Sequence, residues 1–200
     1  MTALALPSED PIGIDVASAS GTWIESRSGT PYMDLISGVA VSPLGHQHPN
    51  VLAAIQEQLH RHLHVMVYGE YRQQVQEDLA KKLTSLLPSS LDQAFLLNSG
   101  AEANEAAFKL AKAHTGRPKA FFFSGAYHGS THGSLSLSDH EERKRAFRPL
   151  LPGIERLPFD DEKALERIDE QTAAVFFESV QGDAGVRIPE HSFVKALRER

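Results

Sequence analysis

Residues 97–107 read LNSGAEANEAA and, with the apolar run just before them, decide the fold class. Residues 94–97 are typical of a short buried strand, and the alanine-rich residues after Gly100 favour a helix. A strand that passes through Ser-Gly into a helix leaves free backbone N–H groups and a hydroxyl where the helix dipole is positive. Such a turn binds a phosphate or a similar anion. A purely structural turn capped by Ser99 remains an alternative, because the pattern lacks the Walker lysine and three spaced glycines.

Two further apolar runs, at residues 119–123 and 173–177, predict strands that also end in polar, glycine-containing loops. Helical patterns lie between the strands, at residues 101–114 and 161–168. This alternation predicts an α/β fold with a mainly parallel sheet and helices on both faces. The three loops should share the carboxyl edge of the sheet, where open α/β folds bind ligands.

The remaining elements are shorter or less regular. Residues 1–36 indicate a small hairpin or meander, and residues 37–49 a loop. A helix is predicted from Asn50, taken as its N-cap, and a second over residues 72–86. Residues 191–200 predict a last helix without a stop signal, so we expect the chain to be a truncated part of a longer protein.

The composition limits the expected partners. The 200 residues carry 20 Lys and Arg against 26 Asp and Glu, a formal net charge of −6. Without a basic stripe, neither nucleic acid nor a membrane surface is an expected partner, and the apolar runs are far shorter than the roughly 20 residues that span a bilayer. The absence of cysteine excludes disulfides and cysteine-ligated metals, and a cytoplasmic location is expected.

Two charged clusters have simple explanations. His60 and His64 could share a helix face as some zinc ligands do, but solvated histidines are the favoured reading, and no metal site is predicted. The run at residues 141–145, EERKR, is predicted to be a solvated helix face with mixed ion pairs.

Five segments together resemble the class III pyridoxal-phosphate (PLP) aminotransferases, which include acetylornithine, ornithine and 4-aminobutyrate aminotransferases. These segments are ISGVAVSPLGHQHP (residues 36–49), LLNSGAEANEAAFKLAK (96–112), SGAYHGSTHGSLSLS (124–138), RPLLPGIERLPFDD (148–161) and AAVFFESVQGDAGV (173–186). The resemblance implies an aspartate-aminotransferase-like fold of type I, with pyridoxal 5'-phosphate as cofactor. It also implies that residues 1–49 are a segment associated with the small domain, that residues 50–200 begin the PLP-binding large domain, and that the protein is a homodimer.

The resemblance also assigns roles to individual residues. It implies that the cofactor phosphate lies at the Ser-Gly-Ala turn, that an aromatic ring stacks on the pyridine with a histidine beside it, and that a glutamate lies near the cofactor. A carboxylate after Gln-Gly pairs with a substrate-binding arginine in the family. The phosphate turn matches Ser99, Gly100 and Ala101, and the aromatic ring and the histidine match Tyr127 and His128. The glutamate matches Glu178, and the carboxylate after Gln-Gly matches Asp183.

Three positions depart from the family pattern. Ser130 stands where the ornithine and acetylornithine branch has an arginine that binds the donor's α-carboxylate, and a hydroxyl cannot replace a charged bidentate fork. Asp183 is shorter than the usual glutamate, and Ser179 replaces the usual proline. These departures weaken an acetylornithine assignment but leave aminotransfer as the predicted reaction.

The resemblance also implies a lysine that forms the Schiff base with the cofactor and an aspartate that keeps the pyridine nitrogen protonated. No lysine here has the context of that catalytic lysine; they are Lys81, Lys82, Lys109, Lys112, Lys119, Lys144, Lys163 and Lys195. Both catalytic residues are therefore expected beyond Arg200.

The predicted function is transfer of an amino group from an ω-amino donor to 2-oxoglutarate or another oxo acid. One alternative is a non-catalytic remnant or interaction module that binds PLP or phosphate. Another is a related PLP enzyme, such as a mutase, racemase or decarboxylase.

Overall fold

A computed structural model describes residues 3–5, 10–67 and 69–200. The chain forms two compact units, Met1–Asp78 and Leu79–Arg200. The domain boundary predicted at residues 49/50 stays a prediction.

The first unit contains a small antiparallel meander, which confirms the predicted hairpin or meander. Its three strands pair in sequence order and are β1 (Val16–Ser20), β2 (Trp23–Ser26) and β3 (Pro31–Met33). After them, the predicted loop contains one short turn, α1 (Ser37–Ala40), whose residues have positive φ.

Two longer helices follow, α2 (Pro49–Arg61) and α3 (Gln74–Thr84), and α3 crosses the boundary between the units. The predicted N-cap at Asn50 is wrong, because Pro49 already lies in the first turn, where its missing N–H costs nothing, and His48 is the N-cap. Because α2 ends at Arg61, His60 and His64 do not share a helix face.

The second unit is built on a three-stranded parallel sheet with β4 at its centre. The strands, in spatial order, are β5 (Ile154–Leu157), β4 (Lys119–Phe123) and β6 (Thr172–Phe176). The α-helices of this unit are α4 (Gly100–Thr115), α5 (His132–Ser136), α6 (Glu141–Lys144) and α7 (His191–Glu199). Two 3-10 helices span Arg145–Phe147 and Glu162–Arg167.

Helices cover both faces of this sheet, as predicted. On one face, Phe121 and Phe123 of β4 pack in a cluster with Phe193 of α7. On the other face, Ala120 packs with Phe108 of α4 and with Leu137, which follows α5. The alternation of side chains along β4 therefore gives each helical layer its own apolar contact.

The strand predicted at residues 94–97 is wrong, since these residues belong to neither sheet. The apolar run is not buried as a central strand would be, since Phe95 is 67% exposed. Strand β5 is not predicted from the sequence, because its two central residues are charged.

The charged side chains of residues 141–145 are not all exposed to solvent, so the predicted solvated helix face is wrong at Lys144. Lys144 is only 7% exposed, and its Nζ donates a hydrogen bond to the Ser138 carbonyl at 2.7 Å. Burial lowers the pKa of Lys144. In the described part of the chain, no helix is both long and apolar enough to cross a bilayer.

Candidate functional site

An open cleft of about 620 Å³ lies where the loop after β4 meets the start of α4. Its lining residues are Gly100, Ala101, Asn104, Tyr127, His128, Gly129, Ser130 and Thr131. Five of the residues singled out from the sequence are therefore brought together by the fold.

The α4 N-terminus forms one wall of the cleft. Ser99 is its N-cap, and the Ser99 Oγ accepts a hydrogen bond from the Glu102 N–H at 3.1 Å. In return, the Glu102 carboxylate accepts from the Asn98 N–H at 2.9 Å. The N–H groups of Gly100 and Ala101 lie in the first turn, where a helix supplies no carbonyl partner, so this end attracts an anion.

The loop after β4 is held tightly against α4. A Cβ added at Gly129, where φ is +127°, would lie 2.7 Å from the Ala101 Cβ, so only glycine permits this approach. The Asn104 Nδ2 also donates to the His128 carbonyl at 2.7 Å. Together these contacts fix the distance between the loop and the helix N-terminus.

Glu105, one turn into α4, secures the far end of the same loop. Its Oε1 accepts from the Thr131 hydroxyl at 2.6 Å and from the N–H groups of Gly133 and Ser134 at 2.7 and 3.2 Å. Burial opposes ionisation of Glu105, but these hydrogen bonds outweigh it and lower the pKa of its carboxyl.

His128 is buried beside the cleft. Its backbone N–H donates to the Ser138 hydroxyl at 2.9 Å, and its ring lies edge-on to Phe176 of β6 at 5.7 Å. Among the described residues, the buried Nε2 has no hydrogen-bond partner. Burial lowers the pKa of the imidazole, which favours the neutral ring.

Tyr127 links this loop to the one after β6. Its ring is 40% exposed, and its hydroxyl lies 3.2 Å from the Ser130 Oγ. Its backbone N–H donates to the Glu178 Oε2 at 3.3 Å. Burial raises the pKa of the Glu178 carboxyl, and the nearby Asp183 charge adds to the increase.

Gln181 anchors the third loop. Its side chain is fully buried, and its Nε2 donates to the Ser124 carbonyl at 3.0 Å. Its backbone exchanges two hydrogen bonds with Arg187. The loops after β4 and β6 are therefore joined at the carboxyl edge of the sheet, as the parallel arrangement predicts.

Asp183, in the same loop, contacts two basic side chains that were not assigned to the site from the sequence. The His140 Nε2 lies 2.7 Å from the Asp183 Oδ2, and the Arg143 Nη1 lies 3.2 Å from it. The Arg143 guanidinium carbon is also 5.4 Å from the centre of the Tyr127 ring.

Sequence reasoning missed Asn104, Glu105, His140, Arg143 and Gln181. Helical spacing could have revealed the first two, because Asn104 lies four positions after Gly100 and Glu105 lies four positions after Ala101, and residues four apart share a helix face. The contacts of His140 and Arg143 depend on how the chain folds back after α5, and no local pattern signals that.

The comparisons with known proteins agree with this arrangement. The sequence model of the family described as "Aminotransferase class-III" matches residues 5–200. An acetylornithine aminotransferase from Methanopyrus kandleri is 41% identical over 187 residues, which cover 93% of this chain and 48% of the relative. The chain thus spans about half the length of the curated relatives it matches.

Solved structures give the same picture of the fold. The ornithine aminotransferase of Toxoplasma gondii superposes with a TM-score of 0.86 at 28% identity, over 96% of this chain and 47% of that one. A taurine:2-oxoglutarate aminotransferase from Bifidobacterium kashiwanohense, solved with PLP and glutamate, gives 0.86 at 27% identity, over 100% and 50%. The α/β architecture is therefore that of the fold type I transaminases, as the resemblance implied.

Proposed function

This chain belongs to the class-III aminotransferase family, and we propose from that premise that it forms the cofactor-facing part of a PLP-dependent aminotransferase. The observation that carries the proposal is the cleft lined by both the α4 N-terminus and Tyr127. A phosphate-bearing aromatic cofactor needs these two features side by side.

The residues of the cleft fit pyridoxal phosphate. The first-turn N–H groups of Gly100 and Ala101, with the Ser99 cap, suit a phosphate group. Gly129 brings the opposite loop to within contact of Ala101, where a larger residue would close the cradle. The half-exposed Tyr127 ring offers a flat surface of the kind on which a pyridine ring stacks.

Bound pyridoxal phosphate would supply the electron sink that stabilises the carbanion formed during amino transfer. In this proposal the residues of the chain bind and orient. The first turn of α4 holds the phosphate, and Tyr127 holds the ring. Glu178, whose carboxyl has a raised pKa, accepts a hydrogen bond from the Tyr127 backbone N–H. The neutral His128 lies beside them, away from water.

The reaction also needs a lysine that exchanges the amino group and moves a proton. Among the described residues, no lysine lines the cleft. The described part of the protein therefore contributes binding and positioning, and a lysine from another part of the site is required for the transfer.

The donor in this proposal is an ω-amino compound, and the acceptor is 2-oxoglutarate or a similar oxo acid. Support comes from the relatives, whose names include acetylornithine, ornithine and taurine:2-oxoglutarate aminotransferases. A homodimer and a cytoplasmic location belong to the same proposal, and the cysteine-free sequence is consistent with that location. The assignment of residues 1–49 to the small domain is also part of this proposal.

The test is an amino-transfer assay of the full-length protein with pyridoxal phosphate, a panel of ω-amino donors and 2-oxoglutarate. Formation of glutamate that depends on both donor and cofactor is the expected result. Cofactor binding without glutamate formation from any donor would instead support a non-catalytic PLP-binding protein. Conversion of an amino acid without any oxo acid would indicate racemase, mutase or decarboxylase chemistry.

A further inference from the structure

A second open cavity, of about 450 Å³, lies between β4, β5 and the segment that follows α5. Among the described residues, none lines both this cavity and the cleft. Its charged lining residues are three basic and two acidic ones, namely Lys144, Arg148, Arg156, Asp139 and Glu141. The lining therefore carries an excess of positive charge.

Both carboxylates of this cavity are already paired with arginines. Glu141 accepts from the Arg148 Nε at 3.0 Å and from its Nη2 at 2.6 Å. Asp139 accepts from the Arg156 Nη1 at 3.0 Å, and its other oxygen accepts from the Gly125 N–H at 2.8 Å. In the described part of the chain, no carboxylate forms an ion pair with the Lys144 Nζ.

Lys144 is therefore the uncompensated charge of the cavity. Its buried Nζ donates to the carbonyls of Ser138 and Ser136, at 2.7 and 3.4 Å, and lies 5.0 Å from the centre of the Phe122 ring. These partners carry only partial negative charge, and a buried charge without a full opposite charge is costly. In line with that cost, burial lowers the pKa of Lys144. A bound anion would supply the missing charge.

The two arginines keep unused hydrogen-bond donors for such an anion. Arginine has five N–H groups. Among the described residues, the Arg156 side chain donates only through Nη1, and the Arg148 side chain only through Nε and Nη2. Both side chains are more than half exposed, so a ligand reaches them from solvent. Their planar, charged donors match the oxygens of a phosphate group.

We propose that this cavity is a second anion site, which binds a phosphate group between Lys144, Arg148 and Arg156. The site is separate from the cleft, so it does not rest on the proposed cofactor. A phosphate monoester carries about −1.5 to −2 charges at pH 7, which offsets the excess positive charge of the lining. The volume of about 450 Å³ lies within the roughly 300–1,000 Å³ of small-molecule sites, so a phosphate ester fits as well as the free ion.

The test is titration calorimetry of the full-length protein loaded with PLP, since the cofactor phosphate then competes with the probe at the α4 N-terminus. The probes are inorganic phosphate and glycerol phosphate, at constant ionic strength. Lys144→Met keeps the apolar stem of the side chain and removes its charge. Arg156→Gln removes two unused donors and the charge at an exposed position. Each change should raise the dissociation constant of the probes roughly 10-fold or more, the effect of losing a charged hydrogen bond.

Arg145→Gln is the matched control. It also removes one positive charge, but Arg145 is an exposed residue of the 3-10 helix Arg145–Phe147 and does not line the cavity. It should leave the dissociation constants unchanged. Lys144→Met also loses two hydrogen bonds to carbonyls, so Arg156→Gln decides the matter if the Lys144→Met protein does not fold.

Three results would overturn this site. The first is an unmodified protein that binds neither probe. The second is an Arg156→Gln protein that binds the probes as tightly as the unmodified one. The third is an equal loss in Arg145→Gln, which would indicate a general attraction to positive charge. The ratio of the two probe affinities shows whether the ester or the free ion is preferred.

Failure of the proposed function gives a different result. A protein that does not retain PLP would remove the cofactor role of the cleft. The response of phosphate binding to Arg156→Gln and Lys144→Met would still decide whether the second site exists.

Discussion

Gly129 determines how closely the loop after β4 approaches the α4 N-terminus. The Gly129→Ala replacement would place a methyl group 2.7 Å from the Ala101 Cβ at a backbone φ of +127°. We expect a loss of at least about 2 kcal/mol of stability, from steric overlap and backbone strain together, and weaker retention of PLP. Denaturant unfolding and cofactor titration measure the two effects.

The control for this replacement is Gly182→Ala, whose added methyl meets nothing within 4 Å. If the two variants unfold alike and retain PLP equally, the close approach at Gly129 has no structural importance.

The buried imidazole of His128 should make stability depend on pH. Burial lowers its pKa in the folded protein, so on acidification the unfolded chain binds a proton first. The contribution of His128 is therefore fully present above the ordinary pKa of about 6.5 and is lost as pH falls below it. The urea midpoint should fall between about pH 7.5 and 5.5, and should fall less in the His128→Asn protein.

Replacing the exposed His60 by Asn controls for the removal of a surface histidine. A fall in midpoint that is as steep in His128→Asn as in the unmodified protein would contradict the assignment.

Single residues in short motifs were the most predictable part of the site. The anion site at the Ser-Gly turn of residues 99–100 stays a prediction from local chemistry, and the structure places Gly100 at the cleft with Tyr127 and His128. Arg143 was not predictable, because it reaches Tyr127 only through the return of the chain after α5.

At the scale of elements, α4 connects fold and function through its N-terminus. Ser99→Ala removes the cap that the Glu102 N–H uses. The change should cost about 1 kcal/mol of stability and should weaken PLP binding, because the phosphate loses the ordered first turn.

Asp161→Ala is a matched cap deletion away from the cleft. Asp161 caps the 3-10 helix Glu162–Arg167 by accepting from the N–H groups of Lys163 and Ala164. It should lower stability without changing cofactor affinity, as measured by fluorescence titration. Equal PLP affinity in the Ser99→Ala and unmodified proteins would remove α4 from the proposed phosphate site.

The central strand β4 should carry much of the stability of the second unit. Phe123 is 1% exposed and contacts the rings of Phe159, Phe177 and Phe193 edge-on. Phe123→Ala should cost about 3–5 kcal/mol in the free energy of unfolding. Phe147→Ala is the control, because Phe147 is 59% exposed, and similar losses in both variants would contradict this core.

Helices and strands with a clear local sequence pattern were predicted well. Those that depend on pairing with other strands were not. The apolar run KAFFF gave β4 with its bounds, and the Ala-rich pattern gave α4. Residues 94–97 have an equally apolar pattern, but they belong to neither sheet and Phe95 is 67% exposed. The two charged residues at the centre of β5 gave no strand pattern, and only its pairing with β4 reveals β5 as a strand.

At the scale of the whole molecule, the family was recognisable because its motifs are local and occur in the right order. Two of the motifs, at residues 96–112 and 124–138, line the cleft, and the parallel sheet brings the loops after β4 and β6 to the same edge. The boundary between Met1–Asp78 and Leu79–Arg200 had no such signal, because it falls inside α3, whose sequence pattern is continuous.

The central claim is that the α4 N-terminus and Tyr127 hold pyridoxal phosphate. A crystal structure of the full-length protein grown with the cofactor tests it most directly. We predict phosphate oxygens about 2.7–3.2 Å from the backbone nitrogens of Gly100 and Ala101, with the pyridine ring against Tyr127. A cofactor bound elsewhere, with the first turn of α4 free of phosphate, would contradict the account.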